Sequence, residues 1–568
     1  MNNIIYIFFR RMRQPLLTLV ITYSIAVLGL VLIPGQDPDG NVWHMDFFHA
    51  FYFVSYMATT IGFGEIPHAF NEAQRMWVLV SIYATVIVWL YAIGTLLSLF
   101  QNKSFQQAIT ERRFANRIKH LREPFYIVCG YGETGSALVS MLTERNQNVV
   151  VIDIVSEKVQ MLHLENLRQY VPGLHGDAGR PVHLIEAGLE HPLCQGVIAV
   201  TNVNEVNLQI ALTSKLLNSG IKVICRADSH DVEDNMASFG TDYIIDPFDN
   251  FAEHLATAIE SPDLYLLNQW LVGMRHQPLS DPIYPPKKGN WIICGYGRFG
   301  KTICQQLRNY GISPIIIEAA PEKTGLPDSD IPENEWVSGR GTEAVTLEQA
   351  GVRDAVGLVA GTDNDANNLS IIMTAKMLNP DLFVVARNNL ADNEQLFEAI
   401  NADLVMHPSI IIANKIRVLL ATPLLYAFLG LAAKQSHEWA ASMVNRVRSV
   451  VKDQVPEIWE LDINDERAHA VNNAILEGDK VTLAHLLVDS QQREKRIFAI
   501  PLLLLRNGVV SPLPDENISL QYGDRLLMCG RLSSHYRMEW TLQNEHALDY
   551  VRTGYSKPRS WFGQLIAK

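Results

Sequence analysis

Two segments of this 568-residue chain have the residue types needed to cradle a phosphate: Gly130-Tyr131-Gly132-Glu133-Thr134-Gly135 and Gly295-Tyr296-Gly297-Arg298-Phe299-Gly300. In a G-x-G-x-x-G loop the first glycine makes a tight turn, the second lets the main chain approach a pyrophosphate, and the third lets a helix pack on a strand. The anion then sits at a helix N-terminus, where unpaired N–H groups and the helix dipole meet it. Asp153 and Glu318 each stand 18 residues beyond the last glycine of their loop, at the position of an acid that accepts from ribose hydroxyls. A carboxylate there repels a 2′-phosphate, so the pair favours NAD or an adenine nucleotide such as ADP or ATP over NADP. Arg298 suits a pyrophosphate, whereas Glu133 at its counterpart position repels one. A fold that kept these glycines for packing alone would show the same pattern.

The elements needed to position these loops are present twice. Phe125 to Cys129 reads as a buried strand running into the first loop, followed by a helical stretch and a second strand, Val149 to Asp153. Trp291 to Cys294 and Ile315 to Glu318 repeat that order around the second loop. The offset is 165 residues from Gly130 to Gly295, from Asp153 to Glu318 and from Gly176 to Gly341, and 161 from Arg226 to Arg387 and from Pro247 to Pro408. A constant offset with one small deletion is a duplicated domain. Each copy reads as a Rossmann-like α/β unit.

The first hundred residues are of another kind. Leu16 to Ile33 and Met76 to Phe100 carry no charge, and at 1.5 Å per residue they reach roughly 27 and 37 Å, enough to cross a bilayer core. A cleaved signal peptide is the alternative for the first run, but no small-residue cleavage site follows it. Arg10, Arg11 and Arg13 before the first run, and Lys103, Arg112, Arg113 and Arg117 after the second, place both ends in the cytoplasm. Between the spans, Phe47 to Met57 is apolar but too short to cross, as in a segment that re-enters the membrane around a protein-lined cavity. The net charge of −13 argues against nucleic-acid binding, which needs clustered Lys and Arg. The six cysteines lie beyond the spans, form no C-x-x-C pair, and read as reduced cytosolic thiols.

Directly after the apolar run comes Thr59-Thr60-Ile61-Gly62-Phe63-Gly64-Glu65, which resembles the T-V-G-Y-G filter of the potassium-channel family. The resemblance implies a homotetramer in which four such loops replace the hydration shell of K⁺ with carbonyls. The ion would be held at Thr60, Ile61, Gly62 and Phe63, with Ile61 and Phe63 pointing away from it as a brace. Phe63 replaces the usual Tyr and loses a hydroxyl that could tether the filter wall; Glu65 stands where the family has Asp. In this family the second span lines the pore and bends to open it. Gly94 is then a candidate hinge, with close helix packing as the alternative, and Leu97 belongs to an apolar closed-state constriction.

The repeats resemble the domains that regulate potassium conductance, called RCK or TrkA-N. His175-Gly176-Asp177-Ala178 with Glu186-Ala187-Gly188-Leu189 carries their pattern, and the second copy reads Arg340-Gly341-Thr342-Glu343 with Gln349-Ala350-Gly351-Val352. Thr342 replaces Asp177, so the two nucleotide sites differ. The resemblance implies a membrane pore domain (1–100), a linker (101–122), a first RCK domain with crossover helices (123–288), a second (289–452), a small α+β TrkA-C-like lobe (453–540) and a tail (541–568). It further implies a ligand-gated channel of the inner (plasma) membrane, in contact with lipid, opened or closed by a small-molecule nucleotide. Acids at Asp228, Asp231, Glu233 and Asp234, and at Asp363 and Asp365, could hold Ca²⁺ or form a solvated face. A membrane-anchored NAD-dependent oxidoreductase would need a substrate domain with a placed acid or base; none is evident, and no catalytic residue is expected.

Overall fold

The structure is a computed structural model that describes residues 2–162, 164–274 and 277–555. It falls into two units, one ending at His120 and one beginning at Leu121.

In the first unit α1 (Asn2–Leu32) and α3 (Glu72–Gln101) are, among the described residues, the two continuous helices long and apolar enough to cross a membrane. Their contact is close: a Cβ on Gly29 would lie 2.0 Å from the Trp77 ring, and Trp77 donates from Nε1 to the Ala26 carbonyl at 3.1 Å. Elsewhere Val20, Ile21, Ile87 and Leu90 are more than half exposed, as helices solvated by lipid require. The short α2 (Phe47–Ala58) is capped by Asp46, whose carboxylate accepts from His49 N at 2.8 Å. Its inward residues Ala50, Phe53, Val54 and Met57 share a core with Ala26, Leu30 and Phe70. The expected linker is largely a helix, α4 (Lys103–Lys119), because Phe114 and Ile118, four residues apart, give it one buried face.

The second unit holds the duplication. Strands β1 (Phe125–Cys129), β2 (Asn148–Asp153), β3 (Gly173–His175), β4 (Cys194–Ala199), β5 (Lys222–Arg226) and β6 (Tyr243–Ile245) form a parallel sheet in the order β3-β2-β1-β4-β5-β6. The second copy repeats it with β7 (Asn290–Cys294), β8 (Ile315–Glu318), β9 (Trp336–Ser338), β10 (Ala355–Ala360), β11 (Phe383–Arg387) and β12 (Leu404–Met406), ordered β9-β8-β7-β10-β11-β12. The tandem Rossmann-like arrangement is the one the sequence predicts. In each sheet the order reverses beside the strand that carries the glycine loop, which opens a crevice at its C-terminal edge.

The crossover helices pack reciprocally. The helix Pro247–Glu260 puts Phe248, Phe251 and Leu255 against Phe299, Ile303 and Leu307 on the glycine-loop helix of the second copy. The helix Pro408–Ala421 puts Ile412, Ile416 and Leu419 against Leu138, Val139 and Leu142 on that of the first. Pro262 and Pro423 break both crossovers at equivalent places, since proline ends the preceding hydrogen-bond ladder. The second break bends its helices by 114°; this apolar pair is committed to protein cores, with Leu424, Leu425 and Phe428 buried against Leu502 and Leu527.

The C-terminal lobe is a four-stranded antiparallel sheet built from Glu457–Asp462, Ala499–Arg506, Val509–Pro512 and Arg525–Gly530. The helix Glu545–Thr553, in the stretch expected to be tail, folds onto it: Ala547, Leu548 and Val551 are buried and Glu545 accepts from Asn473 at 2.7 Å. Residues 556–568 of that tail lie outside the described residues. All six cysteines are free and buried; burial pushes the Cys225 and Cys294 thiols up to about 12, so they stay neutral.

Candidate functional site

The loop between α2 and α3 is held by its own helix. Ile61 N and Gly62 N donate to the Tyr56 carbonyl at 2.9 and 3.4 Å, and Thr60 N to that of Met57 at 3.1 Å. Gly62 and Gly64 have φ of +65° and +96°, the left-handed region open to glycine. Thr60 also has positive φ, +60°. Alternation between left-handed and ordinary backbone lets successive carbonyls of a short segment face one way. Phe63 lies edge-on to Tyr56, with ring centroids 5.4 Å apart; Ile61 is exposed within the chain. The Tyr56 hydroxyl donates to the Gly64 carbonyl at 2.5 Å, a bond between residues that no sequence pattern joins. Just beyond, Glu65 accepts from Arg75 Nε and Nη2 at 2.8 and 3.1 Å and from Phe70 N at 2.9 Å. These donors, the Arg75 side chain first, hold its carboxyl below the ordinary glutamate range.

Helix α3 runs unbroken through Gly94. A Cβ there would meet nothing within 4 Å, so no packing partner among the described residues requires the glycine. Leu97 is exposed on the same helix.

Both glycine loops lie where strand turns into helix, at the crevice of their sheet. The third glycine is sterically required: a Cβ on Gly135 would come 1.9 Å from the Gly130 carbonyl, and one on Gly300 equally close to that of Gly295. The second glycine faces open space. A Cβ on Gly297 would meet nothing within 4 Å, and one on Gly132 only Lys158 Nζ at 3.6 Å. Lys158 therefore supplies a cation beside the first loop that linear spacing did not reveal.

The two acids are wired alike. Tyr131 N donates to Asp153 at 2.5 Å and Val155 N at 2.7 Å; Tyr296 N donates to Glu318 at 2.6 Å and Ala320 N at 2.9 Å. Each carboxylate thus holds the second residue of its loop and lies at the crevice. Arg298 points elsewhere than expected. Its Nη1 donates to the Asp228 carbonyl at 2.8 Å and lies 3.4 Å from the Asp228 carboxylate, so it joins the second loop to the first copy. Asp177 accepts from Gly179 N at 2.9 Å. Its counterpart Thr342 presents its main-chain carbonyl to Thr374 at 3.4 Å, beside Gly341, whose Cβ would strike Cys294 Sγ at 2.8 Å. Thr134 and Phe299 are buried, and Glu133 and Arg298 are the first residues of their helices.

One acid of each cluster considered for Ca²⁺ has partners within the protein. Asp228 pairs with Arg226 at 2.9 Å as well as with Arg298, and Asp365 accepts from Asn389, Leu390 and Asn393. Among the described residues the convergent group of metal-type donors is His230, Glu233 and Asp249. Only Glu233 belongs to an expected cluster, and His230 already lies 3.2 Å from it.

Comparison with known proteins agrees with this arrangement. The family model described as an ion channel matches residues 16–102, and the TrkA-N domain model matches 126–247 and 291–408. Potassium channel protein 1 of Methanocaldococcus jannaschii is 30% identical over 223 residues, which cover 39% of this chain and 64% of that protein. The voltage-gated potassium channel Kch of Escherichia coli (strain K12) is 23% identical over 226 residues, 40% of this chain and 52% of Kch. The chain thus spans less than two thirds of the length of either relative. A solved structure, the GsuK channel bound to NAD, aligns over 95% of this chain and 99% of its own at 15% identity, with a TM-score of 0.45. The chain thus carries an ion-channel segment followed by two TrkA-N domains in tandem.

Proposed function

We propose that the chain is one subunit of a homotetrameric, potassium-selective channel whose opening is set by nucleotide bound to its RCK domains. The observation that carries the ion path is the Thr60 to Gly64 loop, re-entering between two spans with left-handed glycines at Gly62 and Gly64. Carbonyls of Thr60, Ile61, Gly62 and Phe63 from four chains would replace water around K⁺. Gly94 would flex and Leu97 would narrow the closed pore. The open space over Gly132 and Gly297 leaves room for a pyrophosphate, with Asp153 and Glu318 at the ribose and NAD, ADP or ATP as the ligand. The GsuK structures bound to NAD and to ADP motivate that choice of ligands. A nucleotide shifts gating only by as much as its affinity differs between open and closed states. The channel would sit in the plasma membrane with both termini in the cytoplasm.

The purified full-length protein in planar bilayers tests this. Bi-ionic recordings should give a reversal potential set by K⁺ over Na⁺, and NAD, ADP or ATP on the cytoplasmic side should move open probability at constant unitary conductance. Ca²⁺, the divalent effector the family resemblance implies, belongs in the same assay. Little K⁺/Na⁺ discrimination would refute the ion path; nucleotides that bind by calorimetry yet leave open probability unchanged would refute the regulatory half.

A further inference from the structure

We infer that Tyr56 is the positioning residue of the ion-coordinating loop, its hydroxyl making from the pore helix the tether that Phe63 cannot make from the loop. The inference rests on reading Thr60 to Gly64 as the ion path.

Tyr56 holds the loop at both ends. Its main-chain carbonyl accepts from Ile61 N and Gly62 N, and its hydroxyl donates to the Gly64 carbonyl. The side chain has no freedom of its own: it is 5% exposed and its ring meets Phe53, Tyr52 and Phe63 at centroid distances of 5.1, 5.4 and 5.4 Å. A hydroxyl fixed by three aromatic contacts is a rigid donor, and a carbonyl bound to it is removed from the set that can turn toward an ion. Gly64 O is therefore a structural acceptor, which leaves the carbonyls of Thr60, Ile61, Gly62 and Phe63 for coordination.

Among the described residues no other hydrogen bond to the Gly64 carbonyl is seen. Cβ atoms on Gly62 and Gly64 would meet nothing within 4 Å, and glycine explores backbone angles freely. Glu65 anchors the next residue through Arg75 and Phe70, so Gly64 lies between two fixed points. Without the hydroxyl the Gly64–Glu65 peptide can rotate about the Gly64 Cα, and the Phe63 carbonyl on the other side of that glycine loses the fixed end that orients it toward the ion path.

The test is Tyr56→Phe in the full-length channel, which keeps the ring and removes one donor. The K⁺/Na⁺ permeability ratio should fall about five-fold, as loss of one hydrogen bond near 1 kcal/mol would give. Current should also decline faster when external K⁺ is withdrawn. Tyr56→Phe with Phe63→Tyr should recover part of the ratio by returning a hydroxyl to the loop. A Tyr56→Phe channel with the wild-type ratio and wild-type survival in K⁺-free solution overturns the inference. Should that variant fail to assemble as a tetramer on gel filtration, the double variant decides: a tetramer restored by Phe63→Tyr supports the inference, and a double variant that also fails to assemble overturns it. A wild-type channel without discrimination would refute the ion path itself, a result these variants cannot mimic.

Discussion

The Asp153 carboxylate accepts from the main-chain N–H of Tyr131 at 2.5 Å, and Glu318 repeats the contact with Tyr296 at 2.6 Å. The acid that would hold a ribose therefore also holds the glycine loop that would hold the phosphates. Removing it disturbs both halves of a bound nucleotide.

Asp153→Ala and Glu318→Ala should each cost about 1.5 to 3 kcal/mol of binding, the range for hydrogen bonds to a charged group, or roughly ten-fold to a hundred-fold in affinity. Calorimetry with NAD and ADP on the full-length protein measures this. Asp153 is 6% exposed and Glu318 only half-buried, so Asp153→Ala should also lower the unfolding midpoint more than Glu318→Ala does. Equal destabilisation with unchanged affinity would leave these acids as loop anchors and nothing more.

Arg298 reaches from the second glycine loop to Asp228 of the first copy. Its guanidinium is more than half exposed, so Arg298→Ala should cost under about 1 kcal/mol, as for other solvent-screened pairs. Asp228→Asn should cost more, about 1 to 3 kcal/mol, because its carboxylate is buried and also pairs with Arg226. A double-mutant cycle on thermal unfolding gives the coupling energy. Additive effects would mean that the Asp228 carboxylate adds nothing to the bond Arg298 makes with the main-chain carbonyl of that residue.

Two buried groups beside the crossover helix should give opposite pH dependences. Burial pushes the Asp246 carboxyl up to about 6, and the neighbouring Asp249 and Glu233 add to this against its capping bonds to Phe248 N and Asp249 N. Burial pushes the His254 ring down to about 4, aided by the Lys415 ammonium. Asp246 binds its proton more tightly folded than unfolded, so its contribution is present below about pH 4 and is lost as pH rises through about 6. His254 binds its proton less tightly when folded, so its contribution is present above about 6.5 and is lost as pH falls through about 4. Between those limits the two offset. Asp246→Asn keeps a good helix cap and removes one of them, so the unfolding midpoint of that variant should rise with pH from 4 to 6.5, where the wild type stays flatter. A variant as flat as the wild type would place the balance elsewhere.

Much of this was legible in the sequence because it rests on local pattern. Uncharged runs marked the spans, a short aromatic run marked α2, and glycine spacing with a constant offset marked the duplicated Rossmann units. What escaped depends on how distant segments return. Tyr56 reaches Gly64 only because the loop turns back through left-handed residues, and Lys158 reaches Gly132 only through the fold-back of its own helix. The apolar stripes of Phe248, Phe251 and Leu255 and of Ile412, Ile416 and Leu419 predict helices but not that each serves the other copy's glycine helix. Arg298 looked available because its chain neighbours are a phosphate loop; its partner Asp228 lies 70 residues away.

The glycine loops permit a test that separates fold from ligand. Gly135→Ala and Gly300→Ala would drive a methyl to within 1.9 Å of a carbonyl oxygen, and main chain cannot yield by that much without moving strand or helix. Both should lower the unfolding midpoint markedly, with losses of 1 to 3 kcal/mol or more, about the cost of overpacking a core. Gly132→Ala and Gly297→Ala differ. Their φ values are −90° and −70°, ordinary for any residue, and the added methyl points into open space or toward a flexible lysine. Stability should hold or rise by about 0.4 to 1 kcal/mol as the unfolded chain loses freedom. If a pyrophosphate lies on that main chain, the same methyl occupies its place, and nucleotide affinity should drop well over ten-fold in a protein at least as stable as the wild type. Stable Gly132→Ala and Gly297→Ala proteins that bind NAD and ADP at wild-type affinity would show that no phosphate approaches either loop, and would leave the duplicated glycines to packing alone.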